Sequence, residues 1–211
     1  MTRRLVYYAY LTCMTQPSKS DQTRQRILST GRDLVLQGGF GGIGLSRILS
    51  ESGVPKGSFY YYFASKEAFG CAMLDDYVVD YLARIDALTA GPGTAGNKLA
   101  TFWAAWLPTD DRQGIATRCL VVKLAAEVAD LSPDMRRILD DGVAQLTGRI
   151  ADLLRQGAAD GSIRAQDDPD TTARTLYAQW LGAAVLAKLS SGDAPLRLAL
   201  QDTTRRLHPT Q

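Results

Sequence analysis

The sequence has few of the residues that metal and redox chemistry need, with one histidine and three cysteines among 211 residues. The cysteines, Cys13, Cys71 and Cys119, are too far apart for a zinc pattern or a disulfide framework. The histidine, His208, lies in the C-terminal fringe. No acid–base pair, phosphate-binding loop or nucleophile elbow is present either. We therefore expect no metal, no cofactor and no enzymatic activity.

Long hydrophobic runs are lacking near the N-terminus. Leu5–Leu11 follows Arg3 and Arg4 and faintly resembles a signal sequence, but seven residues are too few for one and far too few to cross a bilayer. Together with the cysteine usage, this predicts a cytoplasmic protein that does not span a membrane. We expect residues 1–20 to form a disordered tail. Two explanations stay open: translation begins at Met14, or the tail is a genuine N-terminal arm.

A large net charge is absent as well, but the charges are unevenly distributed along the chain. Lysine and arginine outnumber aspartate and glutamate by 24 to 22, which gives a net charge of +2. Residues 1–66 hold nine basic and three acidic residues, so this part carries +6 and the rest carries −4. A basic module on a mildly acidic body is typical of a protein that binds nucleic acid.

The stretch Leu45–Glu67 has the pattern of two short helices joined by a tight turn. Its first eight residues place apolar side chains at i, i+3 and i+4, as one helix face requires. Gly53 fits the position just past a helix end, where a left-handed backbone is often needed. The second helix is expected to start at Pro55 and end near Phe63. Two such helices predict a helix-turn-helix.

This stretch resembles the DNA-binding domain of the TetR family of transcriptional repressors. The matching residues are Gly53 and Val54 at the turn, Lys56–Tyr60 in the second helix, and Tyr62 and Phe63 followed by Ser65–Glu67. The resemblance implies an all-α, TetR-like fold with a helix-turn-helix head over 21–66 and a helical regulatory and dimerisation body over 67–207. It also implies a homodimer that binds a palindromic operator in double-stranded DNA.

The resemblance also implies which residues meet DNA. The second helix of a helix-turn-helix enters the major groove with its N-terminal residues nearest the bases. We expect Lys56 and Tyr61 to contact base edges, and Gly57 to let the backbone approach closely. The residues expected at phosphates are Ser46, Arg47, Ser58, Tyr60 and Lys66, with Arg24 and Arg26 as further candidates. Phe59, Tyr62 and Phe63 are assigned to packing.

Helical periodicity continues through the rest of the chain, and no strand is predicted. The expected helices are Asp21–Gln37 and Lys66–Leu88 around the helix-turn-helix, then Gly96–Leu107, Arg118–Asp130, Pro133–Gly157, Pro169–Ser191 and Asp193–Leu207. The last two are the expected dimer helices, because small residues permit helices to approach closely. These small residues are Ala173, Ala178, Gly182, Ala183, Ala184 and Ala187, and packing within the chain is the alternative for each.

Five aromatic residues of the body are candidates for an effector pocket, namely Tyr77, Trp103, Trp106, Tyr177 and Trp180. Aromatic side chains among helices either line a ligand cavity or fill the core, and core is the commoner role for any single one. A non-covalent inducer in such a pocket, such as a small unsaturated acid or an aromatic drug-like molecule, is one alternative for the function of the body. A constitutive architectural DNA binder, whose body is only an assembly surface, is another.

A closer resemblance is to the NemR-like branch of the TetR family. It is carried by Arg118–Leu120, Val122–Leu124, Ala126–Val128 and Leu176–Ala178, and it covers about residues 21–200. Members of that branch release DNA when an electrophile or oxidant modifies a cysteine. The resemblance places Cys119 at the position of that cysteine and matches Lys188 to a lysine associated with the switch. It therefore implies a repressor that leaves its operator when Cys119 is modified.

The neighbours of Cys119 suggest how it would react. A thiol reacts as its thiolate, and cationic neighbours lower its pKa, so we expect Arg118 and Lys123 to lower the pKa of Cys119. Lys188 shares a helical stripe with Tyr177, which predicts partial burial and a lowered pKa. Cys71 is expected to pack as a small apolar residue.

Overall fold

The computed structural model describes residues 18–209, and within this range the chain is helical. Ten helices follow in order: α1 (Lys19–Gly38), α2 (Leu45–Ser52), α3 (Lys56–Tyr62), α4 (Lys66–Ala90), α5 (Ala95–Ala104), α6 (Ile115–Arg118), α7 (Leu120–Leu131), α8 (Pro133–Ala159), α9 (Pro169–Ser190) and α10 (Ala194–Leu207). The one extended pairing in this range is an isolated bridge between Thr109 and Arg112. The predicted all-α fold is confirmed. Cys13 and both candidate start sites lie outside the described residues.

Helix α1 begins at Lys19, two residues before the predicted start at Asp21. Ser18 and Asp21 form a capping box, in which each side chain accepts a hydrogen bond from the backbone N–H of the other. This box satisfies amide groups that the first turn would otherwise leave unpaired, so the helix extends into the segment predicted as tail.

The turn between α2 and α3 has the predicted left-handed residue. Gly53 has φ of 64°, and its N–H bonds back to the α2 carbonyls while the N–H of Val54 reaches the carbonyl of Leu49. No atom lies within 4 Å of where a β-carbon on Gly53 would sit, so the backbone conformation and not lack of space favours glycine. Helix α3 then starts after Pro55 and places Phe59 in the core.

Close packing of aromatic rings holds α3 against α1 and α4. The Phe59 and Phe69 ring centroids are 5.6 Å apart, and those of Phe63 and Phe69 are 5.3 Å apart. A β-carbon on Gly31 of α1 would lie 2.2 Å from Cζ of Phe69, so only glycine permits this approach. The ring of Phe69, in the helix that follows, therefore fixes the orientation of the helix-turn-helix.

The hydrophobic core does not divide at the predicted domain boundary between residues 66 and 67. Helix α4 runs through both parts, with Phe69 and Leu74 packed among head residues and Ile85 packed among body residues. Leu124 of α7 and Met135 of α8 also belong to the cluster of buried residues around the helix-turn-helix. Helices α4, α7 and α8 therefore contribute side chains to the core of the head.

The three tryptophans fill the core of the body. Trp103 stacks on Trp180 with centroids 5.0 Å apart, and Trp106 lies 5.7 Å from Trp180. All three are at most 1% exposed. Tyr177 packs edge-on against Trp106 and is also buried. No helix within residues 18–209 is long and apolar enough to cross a membrane.

Candidate DNA-binding face and sensor site

Most of the residues of α3 that are predicted to meet DNA are exposed. Tyr61 is 77% exposed and Tyr60 is 47% exposed, and Lys56 and Gly57 at the start of the helix are also exposed. Among residues 18–209, no atom lies within 4 Å of a β-carbon built on Gly57, so no described part of the chain covers that end of the helix. Ser58 is half-buried. The geometry required for a helix in the major groove is therefore present.

The predicted phosphate-binding residues differ in how free their side chains are. Ser46 and Arg47 are exposed in the first turn of α2. Lys66, in contrast, donates from Nζ to the carbonyl of Phe40 at 2.8 Å and lies 4.8 Å from the centroid of the Phe40 ring. Its ammonium group already has partners within the chain, and its contact with phosphate stays a prediction.

Cys119 lies between two helices, whereas the predicted helix Arg118–Asp130 had placed it inside one. Its backbone is extended between α6 and α7, and its Sγ accepts a hydrogen bond from the N–H of Val122 at 3.5 Å. The Tyr77 hydroxyl of α4 lies 3.7 Å from the same sulfur and accepts from the N–H of Leu120 at 3.3 Å. The thiol therefore sits where α4 meets the start of α7.

The pKa of Cys119 is raised, and the prediction that Arg118 and Lys123 lower it is wrong. Burial is the dominant cause, since the residue is 1% exposed, and it outweighs the opposing hydrogen bonds and the charge of Lys188. Arg118 instead pairs with Asp33 at 3.7 Å, and Lys123 donates to the carbonyl of Gln37 at 3.2 Å. Both cations therefore contact α1 of the head.

The lowered pKa predicted for Lys188 is confirmed, and its ammonium group is partly shielded from water, as predicted. Loss of water around the ammonium is the main cause, and the charge of Lys123 acts in the same direction. By surface area the side chain remains exposed, so the group lies at the edge of the packed region. Cys71 is half-buried, and burial together with the charges of Asp134 and Glu67 raises the pKa of its thiol.

The carboxylate of Glu127 connects α7 to the loop before the helix-turn-helix. One oxygen accepts from the N–H of Phe40 at 3.1 Å, and the other accepts from the N–H of Gly41 in a short hydrogen bond. Sequence patterns did not reveal this contact, because its partners are 87 residues apart. The available signal was that the loop after α1 carries backbone N–H groups outside any helix, and such groups need a partner when they are shielded from water.

A cavity of about 690 Å³ opens between α1, α4, α5 and the segment before α7. Of the five aromatic residues predicted to line an effector pocket, Tyr77 borders it. Trp103, Trp106, Tyr177 and Trp180 do not, because their rings are used in the core. Sequence analysis missed other lining residues, including Arg84, Phe102 and Arg112. Their spacing matches no motif, since they come from separate helices and a loop.

The last two helices have an apolar face that no other part of residues 18–209 covers. Val185, Leu186 and Leu189 of α9 are 44%, 55% and 77% exposed, and Leu198 of α10 is 64% exposed. The predicted small residues divide into two groups. Ala178 and Gly182 are exposed and Ala187 is half-buried, whereas Ala173, Ala183 and Ala184 pack inside the chain. For the latter three, the alternative of packing within the chain applies.

Comparison with known proteins tests the helix-turn-helix interpretation. The family model described as "Bacterial regulatory proteins, tetR family" matches residues 27–69, and the model "Tetracyclin repressor-like, C-terminal domain" matches residues 95–203. The chain belongs to the TetR family. Its helix-turn-helix is therefore the DNA-binding element of a transcriptional regulator, and the predicted family is confirmed.

Relatives within the TetR family include a repressor from Escherichia coli K12, named HTH-type transcriptional repressor NemR. It is 41% identical over 84% of this chain and 90% of its own length. The transcriptional regulator AcuR from Cereibacter sphaeroides is 33% identical over 82% of this chain and 79% of its own. The crystal structure of reduced E. coli NemR superposes with a TM-score of 0.82 at 38% identity, covering 90% of this chain and 98% of that one. The predicted similarity to NemR is confirmed.

Proposed function

We propose that the protein is a dimeric repressor that leaves a palindromic operator when a reactive electrophile or oxidant modifies Cys119. The observation that carries this proposal is the position of Cys119 at the start of α7, the helix whose Glu127 holds the loop before the helix-turn-helix. Atoms added to a sulfur with 1% exposure cannot be accommodated without moving Tyr77 or α7. Either movement would be transmitted to the head through α4 or through Glu127.

Dimerisation through α9 and α10 is supported by the apolar face that these helices expose. Four large apolar side chains, Val185, Leu186, Leu189 and Leu198, are between 44% and 77% exposed in the single chain. No atom lies within 4 Å of a β-carbon built on Gly182, so a partner helix could approach closely there. Two helices from each protomer would form a four-helix bundle and hold two α3 helices at a fixed separation. A fixed separation of two identical heads suits a palindromic operator.

Cys119 would react differently with an electrophile and with an oxidant. With an electron-poor alkene, the thiolate sulfur forms a bond to one carbon and a proton goes to the other. With hypochlorous acid, the thiol gives a sulfenic acid, and chloride and a proton are released. The neutral amine of Lys188 could then attack that sulfur to form a sulfur–nitrogen bond with loss of water. The lowered pKa of Lys188 increases the neutral fraction of its amine.

Burial of Cys119 sets which reagents would act. Because its pKa is raised, little thiolate is present at neutral pH, and the reaction depends on small reagents that reach a closed site. The charges of Cys119 and Lys188 influence each other's pKa, whereas the charges that act on Cys71 are those of Asp134 and Glu67. This difference supports a reaction of Lys188 with Cys119 over one with Cys71. The protein would then release DNA after treatment with strong electrophiles or oxidants, but not after mild thiol–disulfide exchange.

The test is operator release measured by fluorescence anisotropy, using DNA enriched from a random pool by the reduced protein. The parent, Cys119→Ser, Lys188→Met and Cys71→Ser are each treated with hypochlorite or N-ethylmaleimide. We expect release from the parent and Cys71→Ser, and none from Cys119→Ser. Lys188→Met should release DNA after N-ethylmaleimide but less completely after hypochlorite. Release that persists in Cys119→Ser and disappears in Cys71→Ser would overturn the proposal.

A second candidate function is favoured by the cavity of about 690 Å³, which is large enough for a non-covalent inducer. An inducer of that kind would release DNA from Cys119→Ser as readily as from the parent. The remaining alternative, a constitutive architectural DNA binder, requires that neither thiol reagents nor small molecules change DNA binding. The same anisotropy assay separates these cases.

A further inference from the structure

We propose that the Tyr77 hydroxyl donates a hydrogen bond to Cys119 Sγ and thereby stabilises the reactive thiolate, which makes Tyr77 a positioning residue for this cysteine. The inference rests on the proposed function only in taking Cys119 as the thiol that reacts. It supplies a source for that reactivity, because a buried sulfur without hydrogen-bond donors would stay protonated and inert.

The contacts of the Tyr77 hydroxyl leave its proton free for the sulfur. The oxygen accepts a hydrogen bond from the N–H of Leu120 at 3.3 Å, and this contact does not use the hydroxyl proton. The same oxygen lies 3.7 Å from Cys119 Sγ and donates to it. Burial raises the pKa of Tyr77 well above its ordinary value of 10.0, so the hydroxyl keeps its proton at neutral pH. Tyr77 is therefore a donor to Cys119 under the conditions in which the thiol would react.

The first turn of α7 supplies a second donor to the sulfur. Cys119 directly precedes this helix of 12 residues, and its Sγ accepts from the N–H of Val122 at 3.5 Å. Hydrogen bonds to an ionised acceptor are roughly twice as strong as those to a neutral one, so both donors favour the thiolate over the thiol. Burial of the sulfur opposes them and prevails. Each donor therefore determines how large the small thiolate fraction is.

Other polar side chains lie near the sulfur without a hydrogen bond to it. Tyr81 of α4 and both Tyr177 and Lys188 of α9 have pKa values that the charge of Cys119 affects. Among residues 18–209, the side-chain donor to Sγ is Tyr77. Lys188 acts on the thiol through its charge. Removing the Tyr77 hydroxyl should therefore have an effect on the thiolate that its neighbours do not replace.

Tyr81 is a matched control for Tyr77. It lies one turn later on α4, and the centroids of the two rings are 5.9 Å apart. Its hydroxyl is buried, as a hydroxyl beside the sulfur should be, but it has no hydrogen-bond partner in the part of the chain that the structure describes. The two tyrosines thus differ in the hydrogen bond to Cys119, and the proposal predicts that only Tyr77 affects the reactivity of the thiol.

The reaction chosen for the test is the addition of Cys119 to N-ethylmaleimide. The thiol first loses its proton to water, and the Tyr77 O–H stabilises the negative charge that remains on sulfur. The sulfur then forms a bond to one alkene carbon, and the other alkene carbon takes a proton from water. Because the thiolate is the species that attacks, the rate at a given pH follows the thiolate fraction.

The test measures this rate by mass spectrometry of the intact chain with Cys13→Ser and Cys71→Ser, in which Cys119 is the remaining thiol. At about pH 7, we expect Tyr77→Phe to react about tenfold more slowly, which corresponds to the loss of one hydrogen bond to a charged group. Tyr81→Phe should react like its parent. Replacement of Tyr77 by 3-fluorotyrosine should speed the reaction, because a fluorinated phenol is a stronger donor on a ring of nearly the same shape.

The pH profile separates stabilisation of the thiolate from a merely structural role. The deficit of Tyr77→Phe should be constant while both rates rise with pH, and it should shrink once the parent rate levels off. A deficit of the same size at every pH, or equal slowing in Tyr81→Phe, would overturn the proposal. A parent-like rate with 3-fluorotyrosine would do the same, and this protein decides the test even if Tyr77→Phe loses helix content by circular dichroism.

These rates are measured without DNA, so this test and the test of operator release have separate outcomes. If Tyr77→Phe reacts slowly but alkylation of Cys119 leaves the operator bound, the role of Tyr77 stands and the proposed function fails. If alkylation releases the operator and Tyr77→Phe reacts at the parent rate, the proposed function stands and the role of Tyr77 fails.

Discussion

Replacing Glu127 by glutamine should weaken the connection between α7 and the head while leaving the fold intact. The carboxylate accepts one backbone N–H at each oxygen, from Phe40 and from Gly41. Glutamine keeps one acceptor oxygen and places an NH₂ group against the other N–H. A hydrogen bond to a charged group contributes about 1.5–3 kcal/mol, and the half-exposed position of Glu127 reduces this to about 1 kcal/mol.

A loss of about 1 kcal/mol in the contact corresponds to roughly a fivefold change in an equilibrium constant. The first assay is hydrogen exchange at the amides of Phe40 and Gly41, where we expect protection to fall by about that factor. The second is operator affinity before and after N-ethylmaleimide treatment, where we expect the ratio of the two affinities to shrink by about fivefold. In Glu127→Gln, modification of Cys119 should shift the head less, because the contact between α7 and the loop before the helix-turn-helix is weaker.

The control is Asp130→Asn, which neutralises an exposed carboxylate on the same helix. It should leave both exchange and operator release unchanged. If the amides of Phe40 and Gly41 exchange at the parent rate in Glu127→Gln, the contact contributes nothing to the head. If they exchange faster but release is as complete as in the parent, the signal travels through α4 and not through Glu127.

Three further results are expected. Lys56→Ala should weaken operator binding by an amount that depends on the DNA sequence, whereas Arg47→Ala should weaken binding to all sequences and reduce the salt slope by about 1; titrations at several salt concentrations on two unrelated DNAs would separate the two roles. Gly53→Ala should destabilise the protein by about 1 kcal/mol in urea unfolding, because φ is 64° there, while Gly57→Ala, at ordinary φ, should be neutral or slightly stabilising; equal effects would contradict the strain argument. Since burial raises the pKa of Cys119 above its ordinary value of 9.0, its alkylation rate in the folded protein should still rise at pH 9, and a plateau below that pH would contradict the assignment.

The local features of the head could be predicted from the sequence because each depends on residues close together in the chain. The left-handed Gly53 and the inward-facing Phe59 follow from helical spacing and from the conformational preference of glycine. The exposed Tyr61 follows from the same spacing, since it lies on the face opposite the core. The capping box at Ser18 was missed, although it too is local, because the polar residues before Asp21 were interpreted as a tail.

Contacts between distant segments were decided only by the tertiary structure. Helical spacing marks a residue as apolar or polar on its own helix, but it does not say which other helix that face meets. For this reason the tryptophans were candidates for a pocket and proved to be core, while Arg84 and Arg112 beside the cavity drew no attention. The raised pKa of Cys119 has the same origin, because burial depends on α4 and α7 coming together, whereas the neighbouring cations were visible in the sequence. Glu127 was one more polar residue on a helix until folding brought two backbone amides to its carboxylate.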